Sequence, residues 1–403
     1  MGKVNFSNIK RDSYSKKMSS EKKDKQFIRY GEDNQFPDYL IGLYNHSSTH
    51  AACVNAVVEG VRGEGLVTED EEILQRANRM GESWTEIYNK IALDYKLFGG
   101  FALEVIWSRD KTTIAEVYHI DFSYIRAKKK DNRGNCPGYF ISNDWKKNFQ
   151  YSTRINLNDV PYLPIFDPRN KKFEGRQIYV HQPYSPGKEY YPLPDYVGAT
   201  KVIDLDQEID NFHINNITNG LTPSLAITTY TNATDDEREA IERMLREQYA
   251  GTNNAGNLIY MDVPAPDVAP TITPIPQNGA DTYYTTINDM TVQKILTAHR
   301  ITSPALLGIK ENTGLGNNAD ELNTAYRLFL NTIITPYQQN ILGVIEYLLS
   351  IKYTDKISVG VIQKDPLYEG ELGEREVVTS QEAEVEEIGK LEDQVDEINE
   401  ITE

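Results

Sequence analysis

The chain has 403 residues and a formal net charge of −18, so it is long enough for two or three domains and a sizeable core. Its two cysteines, Cys53 and Cys136, are too few for a disulfide framework and show no Cys/His zinc spacing. The acidic body does not suit a protein that wraps nucleic acid by neutralising phosphates. The N-terminus is polar and no apolar run approaches ~20 residues, so we expect a soluble protein without signal peptide or membrane span.

The first part of the chain is predicted to be a basic arm followed by an α+β domain. Residues 1–30 are rich in Lys and Arg and lack apolar periodicity, which predicts a mobile arm. Residues 31–194 form the predicted domain, beginning with a short helix and a second helix over about 48–59. A further helix is expected from Ser83, which forms a capping box with Glu86 and precedes apolar residues at helical spacing.

After Gly99 and Gly100 the apolar period changes to two, which is typical of strands. One hairpin is predicted to turn at Asp110–Thr112 and another near Gly134. A further strand is expected in "RQIYVHQPY", within an irregular stretch rich in proline.

Two long helices are predicted to bracket a small βαβ-like unit. The first covers 195–220, with Val202, Leu205, Ile209 and Phe212 on its inner face, and the second covers about 282–301. Between them, "PSLAITTYT" and "GNLIYMDV" are predicted strands, and a helix begins at the capping residue Thr234.

The last third holds a polar loop, a long helix and an acidic tail. The loop, 303–318, contains "GLGNN", and the helical pattern of 319–351 contains Pro336, which must kink or break a helix. The tail from residue 364 is acidic: fifteen of residues 365–403 are Asp or Glu. Apolar residues recur at heptad-like steps over 385–398, so this stretch is either a short coiled coil or a solvated tail.

No motif in the sequence indicates catalysis. "GVRGEGL" and "GLGNN" both lack the Gly-Lys-Ser/Thr of a Walker A loop. His46 and His50 have metal-ligand spacing but no third ligand, so a pair at a helix start is the better interpretation. Acids alternate along 204–210 and fit a solvated or channel-facing surface better than general acid/base work. The prediction is therefore no catalytic residue, no metal and no cofactor.

The order of these parts, taken with "FHINNITNGLTPSLAI" and "TAHRITSPALLGIKENTGLGNNADELNTAYRLFLNTIITPYQQNI", resembles the portal protein of tailed double-stranded DNA bacteriophages. The resemblance covers roughly residues 30–352. It implies an α+β wing, a two-helix stem, a small clip and a Pro-kinked helix, assembled as a ring. The parts would be the arm (1–30), wing (31–194), stem helix (195–220), clip (221–280), second stem helix (281–302), tunnel loop (303–318), kinked helix returning to the wing (319–351), and a short crown-like piece with the acidic tail (352–403).

The resemblance also implies a function and partners. Portal proteins form a ring, of twelve subunits in the virion, at one capsid vertex, through which DNA enters and leaves. The implied partners are other copies of the chain, double-stranded DNA in the channel, the terminase, the major capsid protein and head-to-tail adaptor proteins, with no membrane. The implied location is the virion, and the host cytoplasm during assembly. The alternatives are a non-portal structural or adaptor protein of the virion and an enzyme of DNA metabolism.

Three groups of site residues follow from the resemblance. Pro336 would kink the long helix. The glycines and polar side chains of the loop would make sliding contacts with DNA, although a plain surface loop between two helices remains the alternative. The DNA-channel residues are Ile309, Lys310, Glu311, Asn312, Thr313, Gly314, Leu315, Gly316, Asn317 and Asn318. The clip residues for motor or adaptor docking are Thr234, Asp235, Asp236, Glu237, Arg238, Arg243 and Arg246.

Overall fold

The structure is a computed structural model with a mixed helix and sheet fold. It describes residues 21–23, 27–145, 160–169, 175–219, 225–229, 234, 239–241, 258–262, 280–301, 303–307, 319–364 and 377–379. These residues divide into two compact units, unit 1 (up to 201 and from 294 onward) and unit 2 (202–293).

The helices are α1 (Phe36–His46), α2 (Ser48–Arg62), α3 (Trp84–Phe98), α4 (Thr200–Asn219), α5 (Ala280–Ala298), α6 (Ala319–Phe329) and α7 (Thr335–Tyr353). The strands are β1 (Glu21–Lys23), β2 (Ile28–Tyr30), β3 (Leu66–Val67), β4 (Phe101–Trp107), β5 (Ile114–Ile120), β6 (Ile125–Ala127), β7 (Gly138–Ile141), β8 (Tyr162–Pro164), β9 (Arg176–His181), β10 (Leu225–Thr229), β11 (Leu258–Asp262), β12 (Gly360–Ile362) and β13 (Val377–Thr379).

Helix α3 lies at the centre of unit 1 and follows its sequence signals closely. The hydroxyl of Ser83 accepts from the amide of Glu86 at 3.1 Å, and the Glu86 carboxylate accepts from the amide of Ser83 at 2.7 Å. Trp84, Ile87 and Ile91 on its inner face are fully buried. The predicted helix and its capping box are confirmed.

The main sheet of unit 1 is antiparallel with strand order β5-β4-β9. Strand β4 is central: Leu103 lies opposite His119 on one side and Tyr179 on the other. The first predicted hairpin is confirmed, because β4 and β5 are joined by a turn in which the Asp110 carboxylate accepts from the amide of Thr112. Helices α3 and α7 both contact β5.

A second antiparallel sheet has the order β6-β7-β8. The predicted hairpin near Gly134 is confirmed, with Gly134 at a φ of 85° in the loop that joins β6 to β7. The side chains of Phe27, Phe140 and Trp145 form a small core here.

The predicted boundary of the mobile arm is wrong. Strands β1 and β2 pair antiparallel within residues 21–30, and Ile28 and Tyr30 are buried. The ring of Tyr30 stacks on that of Tyr191, with centroids 4.0 Å apart. The local pattern of apolar residues did not predict that residues 27–30 are ordered, because Tyr191, the partner of Tyr30, is distant in sequence. Residues 1–20 lie outside the described part of the chain.

The acidic tail also contributes a strand that the sequence did not predict. In a third sheet, ordered β13-β12-β3, the apolar strand β13 pairs antiparallel with β12, with Val378 opposite Val361. Its three residues carry no charge, so they can add to a sheet edge although the surrounding tail is acidic. The predicted coiled coil or solvated stretch over 385–398 lies outside the described residues.

Unit 2 contains most of the two long predicted helices and a parallel strand pair. Strands β10 and β11 pair in parallel, which requires a crossover connection, and residues 239–241 between them are helical. On α4, Ile203, Asp206 and Ile209 are buried. The predicted inner face is therefore wrong at Leu205, which is 42% exposed. The acids of 204–210 were predicted to form a solvated or channel-facing surface, and in the single chain this is wrong at Asp206, which is buried.

No helix among the described residues is both long enough and apolar enough to span a lipid bilayer.

Candidate functional site

Most of the predicted loop and clip residues fall outside the described part of the chain. The DNA-channel residues 309–318 all lie outside it, although Pro304–Leu307 just before them form a short 3-10 helix. Of the clip residues only Thr234 is described, and it is exposed. Asp235, Asp236, Glu237, Arg238, Arg243 and Arg246 lie outside the described residues. The candidate site described below therefore consists of two parts of unit 1: the end of α2 with the helix that follows the loop, and the residues next to the ends of α4 and α5.

Pro336 lies in a helix that continues through it. Helices α6 and α7 are joined by a π-turn over Leu330–Ile334, in which the amide of Thr335 donates to the carbonyl of Leu330, five residues earlier. Proline has no N–H and its ring crowds the carbonyl four residues before it, here that of Thr332, so a wider turn relieves the crowding. The sequence predicted a kink or a break at Pro336, and the structure has a π-turn directly before it and no break.

Helix α7 is fixed to the end of α2 just after this π-turn. The buried amide of Gln338 donates to the carbonyls of Gly60 (3.4 Å) and Val61 (3.1 Å), and its oxygen accepts from Gln363 at 2.7 Å. A Cβ at Gly60 would lie 2.8 Å from Cδ1 of Ile334, so α2 and the π-turn approach closely. The long helix that follows the predicted loop therefore has a defined attachment to the core of unit 1.

An ion network around the buried Lys96 lies at the other end of α3, between the segment that precedes α4 and the segment that follows α5. The ammonium of Lys96, fully buried, lies 2.9 Å from both oxygens of the Asp195 carboxylate. The guanidinium of Arg300 lies 3.5 Å from the same carboxylate. Burial lowers the pKa of Lys96, and Asp195 opposes that shift. We call Lys96, Asp195, Tyr196, Arg300, His50 and His299 the polar cluster.

Gly99 allows the chain before α4 to approach the end of α3. It ends α3 in the left-handed region, at a φ of 80°, and a Cβ there would lie 2.4 Å from the carbonyl oxygen of Leu193. Glycine satisfies both requirements at once. The chain before α4 can thus pass directly over the end of α3, where the hydroxyl of Tyr196 donates to the carbonyl of Leu97 at 2.7 Å.

Two buried histidines complete the polar cluster. Nδ1 of His50 lies 2.9 Å from Nε2 of His299, so one ring donates to the other, and the ring of Tyr196 stacks on that of His299. Burial, and then the charge of Lys96, lowers the pKa of His50 to about 3. The same two causes lower the pKa of His299 far below its usual range. Both rings are therefore neutral at physiological pH.

This chemistry suits a structural joint. The pair of buried Lys96 with partly exposed Asp195 fixes positions through geometry and the cost of leaving the buried ammonium alone, and neutral paired histidines add directional contacts. Among the residues that the structure describes, no three His, Cys, Asp or Glu side chains lie together as a metal-ligand set. The polar cluster joins α2 and α3 to the chain just before α4 and just after α5.

The sequence revealed only part of this site. His299 is buried, and His46 and His50 lie on separate helices, α1 and α2. Lys96 was missed, although its place between Tyr95 and Leu97 is a signal of burial. Asp195 gave no signal, because its partners are distant in sequence.

Solved structures of related fold come from gene transfer agent particles. A chain from the virion of a native gene transfer agent (GTA) particle matches with a TM-score of 0.53 and 15% identity, covering 83% of this chain and 84% of that one. A chain from the neck of an empty GTA particle, computed with C6 symmetry, matches with a TM-score of 0.52 and 15% identity, covering 83% and 85%. These likenesses show that this chain shares its fold with chains of gene transfer agent particles.

The chain belongs to the phage portal protein family, whose sequence model matches residues 58–361. Among curated proteins, none matches this sequence.

Proposed function

We propose that this chain is the subunit of a portal ring at one vertex of a phage-like capsid, through which double-stranded DNA is packaged and later ejected. The observation that carries the proposal is the family match over residues 58–361, which spans both long helices and the segment between them. The related neck chain belongs to an assembly with C6 symmetry, which supports a ring of identical subunits here. We propose twelve subunits.

Exposed apolar residues on the two long helices support assembly. Leu205 and Ile214 on α4 are 42% and 60% exposed in the single chain, and Met290 on α5 is 52% exposed. Apolar side chains on long helices are stabilised when a neighbour covers them. Adjacent subunits of a ring would provide that cover.

The parts of the chain have proposed roles in such a ring. Unit 1 would be the wing, α4 and α5 the stem, and residues 221–280 the clip that binds the terminase. The polar cluster would belong to the wing, where it contacts the chain just before α4 and just after α5. Adaptor proteins and the major capsid protein would bind the outer surfaces. The sequence offers no catalytic site, so ATP hydrolysis would belong to the terminase.

The loop over 303–318 would contact DNA in the channel. The chain on both sides of the loop is fixed by contacts: the polar cluster lies just before the loop, and the contacts of Gln338 lie after α6. Between them, glycines and amide side chains would make weak contacts that do not depend on base sequence.

The ring is tested by native mass spectrometry and negative-stain imaging of the purified chain over a range of salt concentrations. Closed rings with a central hole are expected. Monomers or dimers under every condition would refute the ring and favour one of the alternative functions.

The channel role is tested by comparing Gly314→Val/Gly316→Val with Lys310→Ala in a packaging assay. The β-branched residues should stiffen every loop, giving rings of normal mass that do not fill with DNA. Losing one exposed charge per subunit should cost at most about 1 kcal/mol and should only slow packaging. The opposite ranking would identify the loop as a specific chemical site.

A further inference from the structure

Three consecutive backbone amides in unit 1 converge on one carboxylate. The amides of Glu189, Tyr190 and Tyr191 all donate to the side chain of Glu21, at distances of 3.0–3.2 Å from its Oε1. Glu189 also donates to the second oxygen, Oε2, at 3.0 Å. Consecutive amides that point to one centre form an anion-binding concavity.

The amides are held in place by contacts that do not involve Glu21. Tyr190 and Tyr191 are buried, and their hydroxyls accept from the amides of Lys130 (3.2 Å) and Ala127 (2.9 Å). Upstream, the amide of Lys188 donates to the carbonyl of Ser185 and closes a turn. The three amides are therefore oriented before any anion arrives.

The hydrogen bonds at this concavity suit an anion. The carboxylate among the amides is held by three N–H dipoles, and hydrogen bonds to an ionised acceptor are stronger than those to a neutral one. Nearby, the ammonium of Lys130 lies 3.9 Å from the Glu189 carboxylate.

Glu21, which occupies this concavity, belongs to β1, a strand with few other contacts to hold it in the part of the chain that the structure describes. Strand β2 is fixed through the stacking of Tyr30 on Tyr191, and through the Tyr30 hydroxyl, which donates to the carbonyl of Pro192 at 2.9 Å. Strand β1 has three residues, and among the described strands its partner is β2 alone. A two-stranded pairing of this length is marginal by itself, so the carboxylate contact contributes much of its attachment.

We propose that the amides of Glu189–Tyr191 form a carboxylate-binding site, and that Glu21 occupies it as a latch that fixes the base of the basic arm to unit 1. Release of the latch would free β1 and leave the site open to another carboxylate. It does not depend on the portal function.

The test uses hydrogen–deuterium exchange on the full-length protein, with Glu21→Ala compared with Glu71→Ala. Glu71 is an exposed carboxylate in another part of unit 1, so the control makes the same substitution and the same charge change. Loss of three charge-assisted hydrogen bonds should raise the exchange rate of the 189–191 amides by about tenfold or more. Trypsin should also cut faster after Lys22 and Lys23. Glu21→Gln, which keeps an acceptor oxygen without the charge, should fall between wild type and Glu21→Ala.

Added carboxylate distinguishes a binding site from a merely structural contact. In Glu21→Ala, sodium acetate should restore protection at 189–191, and sodium chloride of equal ionic strength should not. Trypsin sensitivity should remain high, because acetate fills the site without reattaching β1. Equal exchange in wild type and Glu21→Ala would overturn the latch. Failure of acetate, or rescue by inorganic phosphate alone, would overturn the carboxylate-binding site.

Discussion

Replacing Asp195 should destabilise unit 1 far more than replacing Lys96, although the two form one ion pair. Lys96 is fully buried, so Asp195→Asn leaves its charge without a counterion in a low-dielectric environment. Breaking a buried pair in this way costs about 3–5 kcal/mol. In Lys96→Met the apolar stem remains, and Asp195 keeps Arg300 at 3.5 Å and a side chain that is 25% exposed. That loss should be about 1 kcal/mol.

The double variant provides the decisive comparison. Lys96→Met/Asp195→Asn removes both charges, so it should be more stable than Asp195→Asn alone, by about 2 kcal/mol or more. Urea unfolding followed by tryptophan fluorescence measures these values, because all three tryptophans (Trp84, Trp107 and Trp145) are buried in unit 1.

Lys90→Met serves as the matched control on the same helix. Lys90 is part of an ion pair with Glu82, but its side chain is 47% exposed, so its loss should cost less than about 1 kcal/mol. An electrostatic joint at the polar cluster is refuted if Asp195→Asn lowers the free energy of unfolding no more than Lys90→Met does. It is also refuted if the loss in the double variant equals the sum of the two single losses, because the charges of Lys96 and Asp195 would then not be coupled.

Three further predictions concern the same unit. Because His50 stays neutral in the fold down to about pH 3, its contribution to the free energy of unfolding is present above its unfolded pKa and is lost as the pH falls; between pH 7 and 5.5 this contribution should fall by about 1 kcal/mol. The pKa of His299 is lowered by the same causes and adds its own loss, so His50→Asn should reduce the loss measured in urea titrations at the two pH values without abolishing it. Gly99→Ala should lower the unfolding free energy by more than about 1 kcal/mol, because the added Cβ would meet the carbonyl of Leu193, whereas Gly343→Ala, in open space on α7, should be neutral or stabilising; equal effects would refute the close approach. Pro336→Ala should restore a helical amide and slow hydrogen exchange across 330–336, and unchanged exchange would show that the π-turn does not depend on the proline.

Local sequence signals predicted the elements whose causes are local. Ser83, Glu86 and Gly99 define the two ends of α3 through contacts within a few residues, and alternating apolar residues define β4 and β5. Pro336 predicted an irregular helix at the right place for the same reason, because a proline affects a carbonyl of its own helix. The resemblance to the portal family rested on the order of such elements, and the family match confirms it.

Tertiary structure decided the contacts that join distant parts of the chain. Lys96 meets Asp195, Tyr30 meets Tyr191, and strand β13 pairs with β12 only after the chain has folded back on itself. No local period marks such partners, because burial depends on what arrives from elsewhere. The sequence by itself thus determined the helices, the hairpins and the family. The polar cluster, the latch at Glu21 and the order of residues 27–30 depended on long-range packing. Their charged groups and rings are buried only because residues distant in sequence cover them.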